Sequence, residues 1–215
     1  LARETHTGFS FGDVTEQDTP LAALRKTAAG AEEAIRRTAQ AMDGNALTEA
    51  AELLSSARRI EIIGAGGSAL IAQDAYLHLM RAGFPAYAVT DYLSFSVAAA
   101  QLDGDCAALA VSHSGQTAEI VDAMEIAKTR GAGTICVTSY GDSLLGRLCR
   151  VTLATASSEA ERHQEAAAAR LTHLMVLDAL CAYLGAQRGS RTVEHEDLAE
   201  RCLSRCRYPR EEERQ

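Results

Sequence analysis

The strongest constraint on the fold is a change of hydrophobic rhythm at Arg59, after which short apolar runs alternate with stretches of helical spacing. The runs Ile60–Ile63, Ala86–Val89, Ala107–Val111, Thr134–Val137 and Val151–Leu153 read as strands. Between the first four lie the helical patterns Leu70–Met80, Leu93–Gln101 and Ile120–Thr129. Strands that alternate with helices pair in parallel, and right-handed crossovers place the helices on both faces of one sheet. The rhythm therefore predicts an α/β fold with a doubly wound, five-stranded parallel sheet.

Flanking helices complete the expected architecture. Residues 1–19 are polar, carry Gly8 and Gly12 and keep no period, so they read as a linker, and because the first residue is Leu1 and the first Met is Met42, as a linker from a missing upstream domain. From Pro20, a residue suited to a first turn, Leu21, Leu24, Ala28, Ala31, Ile35, Thr38 and Met42 hold one helical face until Asp43-Gly44. A second helix follows through Leu47, Ala50 and Leu54 and ends before Arg59. A long helix is expected over Arg162–Leu184, with Leu171, Leu174, Met175, Leu177, Asp178 and Cys181 near one face and Gly185 as its stop. A last helix is expected over His195–Cys206, so the domain spans residues 20–206 and residues 207–215, a charge run around Pro209, read as a disordered tail.

Charge and composition exclude several classes of function. A net charge of -8 and a pI near 5.3 argue against DNA binding by this segment, because a phosphate backbone demands a basic face. No apolar run approaches the roughly 20 residues that span a bilayer, and no signal peptide opens the chain, so the expectation is a soluble cytoplasmic protein without a membrane partner. Cys106, Cys136, Cys149, Cys181, Cys202 and Cys206 are scattered through apolar segments and read as reduced core residues. His195, Cys202 and Cys206 have a spacing that could chelate a metal, but without a CxxC pair no metal site is assigned.

Two loops carry the chemistry. Gly64-Ala65-Gly66-Gly67-Ser68-Ala69 follows the first strand, and Ser112-His113-Ser114-Gly115-Gln116-Thr117 follows the third. Both lie at the carboxyl ends of parallel strands, where open α/β sheets bind ligands. Glycines let the backbone approach an anion, and helix N-termini present unpaired N–H groups and partial positive charge. Four bonds to a charged group contribute on the order of 6–12 kcal/mol before ordering costs, against about 8 for micromolar binding. A phosphate can thus be held without Lys or Arg. The ordinary alternative is that the hydroxyls only cap the helices. A dinucleotide reading is also open, because Gly64, Gly66 and Ala69 satisfy G-x-G-x-x-A and Asp91 stands where a ribose-binding acid would. A nucleoside-triphosphate P-loop is excluded, since the only lysines are Lys26 and Lys128.

The pair Gly64-Ala65-Gly66-Gly67-Ser68 and Ser112-His113-Ser114-Gly115-Gln116-Thr117 resembles the phosphosugar loops of the SIS (sugar isomerase) family. From about Asp18 to Leu184 the chain resembles the carboxyl-terminal part of RpiR-type transcription regulators, including "AYLHLMRAGFPAYAVTD" and "ARLTHLMVLDAL". The resemblance implies an SIS fold, dimer-forming helices and a sugar-phosphate effector, with DNA bound only through an upstream helix-turn-helix domain and no cofactor. It implies ligand contacts from Gly66, Gly67, Ser68, Ser112, Ser114, Gly115, Gln116 and Thr117. Ser139 and Ser143 are looser matches, and Ser143 reads equally as a helix cap.

SIS folds serve as isomerases and as switches, so the fold does not decide catalysis. An aldose–ketose isomerase needs a base, and His113, Glu159, Glu161, His163 and Glu165 are residues that could supply one. Arabinose-phosphate isomerases of this family carry a lysine where Gly67 stands. Sedoheptulose-phosphate isomerases use a metal from the next helix, and the matching positions are Asp74 and His78. The expectation is a homodimeric, or dimer-of-dimers, sugar-phosphate sensor of a transcription regulator, with no catalytic residue assigned and a phosphosugar isomerase as the main alternative.

Overall fold

A computed structural model of the chain describes residues 9–10, 14–156 and 165–204. The expected parallel sheet is present. Its strands are β2 (Arg59–Gly64), β3 (Ala86–Val89), β4 (Cys106–Val111), β5 (Gly133–Thr138) and β6 (Val151–Ala154), in the order β3-β2-β4-β5-β6 and all parallel. A further pair, β1 (Phe9–Ser10) and β7 (Glu165–Ala166), lies apart from the main sheet. Part of the stretch expected to be linker is thus strand, since Phe9 pairs with Glu165 and Ser10 with Ala166.

The alternation of side chains along each strand divides the core in two. Ile60, Ile62, Leu109, Val111, Ile135 and Val137 face one layer, formed by α2 (Gly44–Ser56), α3 (Gly67–Arg81) and α7 (Ala167–Arg188). Ile63, Ala108, Ala110 and Cys136 face the other, formed by α4 (Tyr92–Ala100), α5 (Ala118–Thr129) and the short α6 (Leu144–Leu148). Strands covered on both faces explain why the runs read as continuously apolar. One exception is Glu61 in mid-β2, which is fully buried and held by the guanidinium of Arg59, while burial pushes its carboxyl above the usual range.

Helix α1 (Pro20–Ala41) begins at Pro20, with Thr19 Oγ1 accepting from Ala22 N, and packs against α7. Its expected face is only half used. Ala31 and Thr38 are buried, but Leu21 and Leu24 are exposed because the first turns of α1 extend past the core.

The carboxyl-terminal helices correct the expectation. Glu165–Ala166 is strand and α7 starts at Ala167, while Arg162 lies outside the described residues. Gly185 does not stop α7. It is where the helix passes close to its neighbours, with Thr192 Oγ1 donating to Gly185 O at 2.9 Å, and the helix ends at Gly189, whose φ of 56° is left-handed. The inner face is rotated from the expected one, so Thr172, His173, Val176, Leu177, Leu180 and Leu184 are buried while Leu171 and Asp178 are exposed. Helix α8 (Ser190–Ser204) begins before His195, and Cys206 and the tail lie outside the described residues. Cys106, Cys136, Cys149 and Cys181 are buried thiols as expected, whereas Cys202 is exposed.

Leu109, in the central strand with no exposed surface, anchors the first layer. Leu109→Ala should lower the unfolding free energy by about 2–5 kcal/mol, measured by urea denaturation, because a central strand cannot collapse to fill the cavity.

Candidate functional site

Strand order reverses between β2 and β4, since the chain moves from β2 outward to β3 and returns to the other side of β2. Gly64 and Val111, the last residues of β2 and β4, are register partners, so the loops that follow them start side by side at the carboxyl edge of the sheet. This is the switch point at which doubly wound sheets open a crevice.

The loop after β2 turns at Gly66, whose φ of 56° and ψ of -127° suit only glycine, and α3 starts at Gly67 with Ser68 buried in its first turn. In the loop after β4, Ser112 is buried, its N–H continues the ladder to Val137 O at 3.1 Å, and its Oγ accepts from Gly115 N at 3.2 Å. Ser114 is half-buried and its Oγ accepts from Gln116 N at 3.2 Å, with Gln116 itself exposed. Gly115 has a φ of 61°, and its carbonyl accepts from Leu145 N at 3.1 Å. Ser143 is fully buried, caps α6 by accepting from Gly146 N at 3.1 Å, and packs so tightly on Gly115 that an added Cβ there would lie 2.6 Å from Ser143 Cβ. Ser143 therefore supports the loop from behind.

The helix caps test the ordinary reading of the hydroxyls. Thr19, Asp43, Asp91 and Ser143 each close the helix they precede with a side-chain bond, whereas α3, preceded by Gly66, and α5, preceded by Thr117, have none. The loop hydroxyls fold the loop rather than cap its helix, leaving first-turn amides of α3 and α5 without a side-chain acceptor. Asp91 caps α4 through Ser94 N at 3.0 Å, which engages the carboxylate that the dinucleotide reading required.

Behind the second loop lies a buried polar cluster that sequence reasoning missed, apart from His113 and Ser139 themselves. His113 Nδ1 is 2.9 Å from Ser139 Oγ, which is also 3.2 Å from His173 Nε2 and 3.3 Å from Thr155 Oγ1. Tyr140 packs edge-on against the His113 ring at 5.6 Å. Burial, with a smaller contribution from His113, pushes the His173 imidazole down to about 3. A polar pair, Thr172-His173, at the inner face of an otherwise apolar helix was the available signal.

Other expected positions fall elsewhere. Asp74 and His78 share the outer surface of α3, and Asp178 of α7 joins them, with His78 Nε2 3.9 Å from Asp74 Oδ1 and His78 Nδ1 3.6 Å from Asp178 Oδ1. Of these groups, the exposed His78 and Asp178 border a cleft of about 770 Å³ between α3, α7 and α8. Cys202 is exposed and the His195 ring lies against Gly83, so among the described residues these two form no metal cluster. Glu159, Glu161 and His163 lie outside the described residues, and of Glu165 only the backbone is described. Lys26 pairs with Asp18 and Lys128 donates to Leu148 O, so neither lysine serves the loops.

Residues 53–183, the sheet and both loops included, match the SIS domain. The chain belongs to the SIS domain family. The chain is 34% identical over 194 residues to an uncharacterized HTH-type transcriptional regulator of Caldanaerobacter subterraneus subsp. tengcongensis, covering 90% of this chain and 68% of the relative. Among solved structures, Vibrio vulnificus NanR complexed with ManNAc-6P superposes with a TM-score of 0.81 at 22% identity, over 86% of this chain and 70% of NanR. The sugar isomerase domain of an RpiR transcription factor from Sphaerobacter thermophilus gives 0.75 at 20% identity, over 83% of this chain and 98% of that one. The SIS domain is thus of the type that HTH-type regulators carry, and among the described residues no helix is long and apolar enough to cross a membrane.

Two measurements follow from the geometry. Gly115→Ala must both adopt a left-handed backbone and displace buried Ser143, so it should cost more than Gly66→Ala, where an added Cβ meets nothing within 4 Å, and urea denaturation of the two variants checks the order. His173 is neutral in the folded state while the unfolded ring binds a proton below its ordinary value of 6.5, so its contribution to stability is full at pH 8 and is lost as pH falls. The loss between pH 8 and pH 5 should be about 2 kcal/mol, and His173→Gln should remove that part of the slope.

Proposed function

We propose that this chain is the sugar-phosphate-sensing domain of a transcription regulator, whose DNA-binding helix-turn-helix domain lies upstream of it. The phosphoryl group enters between the two strand-tip loops, against the first-turn amides of α3 and α5, with Gly66, Gly67, Ser68, Ser112, Ser114, Gly115, Gln116 and Thr117 around it and Ser143 bracing the second loop. The observation that carries this reading is that only the two helices following the glycine and hydroxyl loops lack a side-chain cap, while the other four with described caps are closed. First turns that no side chain caps, at two adjacent helix N-termini, favour an anion, with Ser68 N, Ala69 N and Ile120 N already bonded to backbone carbonyls. An acidic chain can then bind a phosphate through dipoles and N–H donors rather than cations. ManNAc-6P in the structurally similar NanR supports the ligand class, and the HTH-type relative supports the regulator.

The sensor works as a cytoplasmic homodimer or dimer of dimers. Ligand shifts the balance between arrangements of the attached DNA-binding domains, by as much as its affinity differs between them.

Thermal-shift titration tests the ligand class. Sugar phosphates, with ManNAc-6P as the first probe, should raise the melting temperature and NAD should not; stabilisation by NAD alone would overturn the reading. Ser114→Ala should weaken binding about tenfold, the worth of one charge-assisted hydrogen bond, while leaving the fold intact by circular dichroism. Unchanged affinity in that variant removes the site assignment.

A further inference from the structure

Helix α4 is the exception among the helices of this chain. Its nine residues, Tyr92–Ala100, read YLSFSVAAA and carry no charged side chain, whereas every other described helix carries at least one. Its inner face is ordinary, with Phe95 and Ala99 fully buried in the second core layer. The outer face of such a helix should be polar, as it is on neighbouring α5, which exposes Glu119, Asp122 and Glu125. Instead Leu93 is 90% exposed and Val97 64%, with exposed Ala100 completing an i, i+4, i+7 stripe and the small Ser96 beside it. Tyr92, half-exposed, is held at the rim by an edge-on contact with the Phe95 ring at 5.5 Å. A helix that is apolar all round is one that is covered on both sides.

Three observations point to the cover. The helices at the two ends of the described chain, α1 and α8, pack on α7 and α3, in the layer on the opposite face of the sheet, so the flanking segments attach away from α4. Nine residues of helix rise about 14 Å, less than half a bilayer core, and a net charge of -8 opposes an anionic membrane surface. That same charge repels a second copy wherever side chains of one sign meet, and a two-fold contact sets each residue near the axis against its own copy. A charge-free face escapes this repulsion, and α4 is the described helix that offers one. Ser96 and Ala100 are small enough to let two such helices close to packing distance.

We propose that the outer face of α4, from Tyr92 through Leu93 and Val97 to Ala100, is the surface on which two copies of this chain pair about a two-fold axis. The inference names the contact for the homodimer read above and rests on that reading. Its placement bears on sensing. Helix α4 packs along α5, and α5 opens from the loop at residues 112–117, so the contact stands one helix away from the anion site on the same face of the sheet. A ligand that shifts the first turn of α5 then acts on the pairing without passing through the sheet.

Sedimentation velocity of the full chain tests the surface. The unaltered chain should sediment as a dimer at micromolar concentration. Leu93→Glu and Val97→Glu should each weaken pairing about a hundredfold, since a carboxylate without a partner would be buried in the contact, and circular dichroism should be unchanged because both positions are exposed in the single chain. Leu24→Glu on α1, as exposed as Val97 at 64%, and Leu198→Glu on α8 should leave the dimer intact. Pairing that survives in folded Leu93→Glu and Val97→Glu overturns the surface and leaves the homodimer reading standing. Pairing lost to the same extent in Leu24→Glu or Leu198→Glu also overturns it. An unaltered chain that stays monomeric overturns both. If neither α4 glutamate variant folds, Val97→Asn replaces them, with a roughly tenfold loss expected and unchanged pairing overturning the surface.

Discussion

The pairing of β2 with β4 is the constraint on which the rest depends. These strands are distant in sequence, yet Gly64 and Val111 are register partners, and both faces of the ladder are filled by separate apolar layers. A slip of one residue would turn every side chain of β4 toward the wrong layer. The register is therefore held by burial, and with it the relative position of two loops that contribute little to the core themselves. Precision at the strand tips is inherited from packing well below them.

Much of this was legible in the sequence because it depends on local periodicity. The five strands stand within a residue or two of the apolar runs, since a strand covered on both faces has to be apolar throughout, and both helix-opening loops announce themselves by glycine and hydroxyl content. Short elements were not legible. Two-residue β1 and β7 and five-residue α6 are shorter than any period that could reveal them. Gly185 was misread because a glycine serves two purposes, ending a helix or permitting close approach, and only the neighbours distinguish them. The Ser139 cluster was invisible for a different reason. Its partners lie 26, 16 and 34 positions away in sequence, and only the fold brings them together.

On the sugar-phosphate reading proposed above, an acidic protein would hold an anion without cations. Lys26 and Lys128 are engaged elsewhere, and the loops hold no Arg. Under that reading fixed dipoles would take the place of cations, and because no mobile cationic side chain has to be ordered on binding, less entropy would be lost than with a lysine clamp. The hydroxyls of Ser112 and Ser114 are already committed to Gly115 N and Gln116 N, which makes the loop's shape part of the folded state rather than a response to ligand.

Thr38 ties α1 to the end of the sheet, its Oγ1 accepting from Ala156 N at 3.0 Å. Eighteen residues of helix run from that tie back to Pro20, roughly 27 Å at 1.5 Å per residue, and most of their surface faces solvent. Helix α1 is also seated along α7, so its exposed amino-terminal turns share the motion of that helix pair. At this length a rotation of about 10° about Thr38 would carry the Pro20 end through about 5 Å, close to one helical turn.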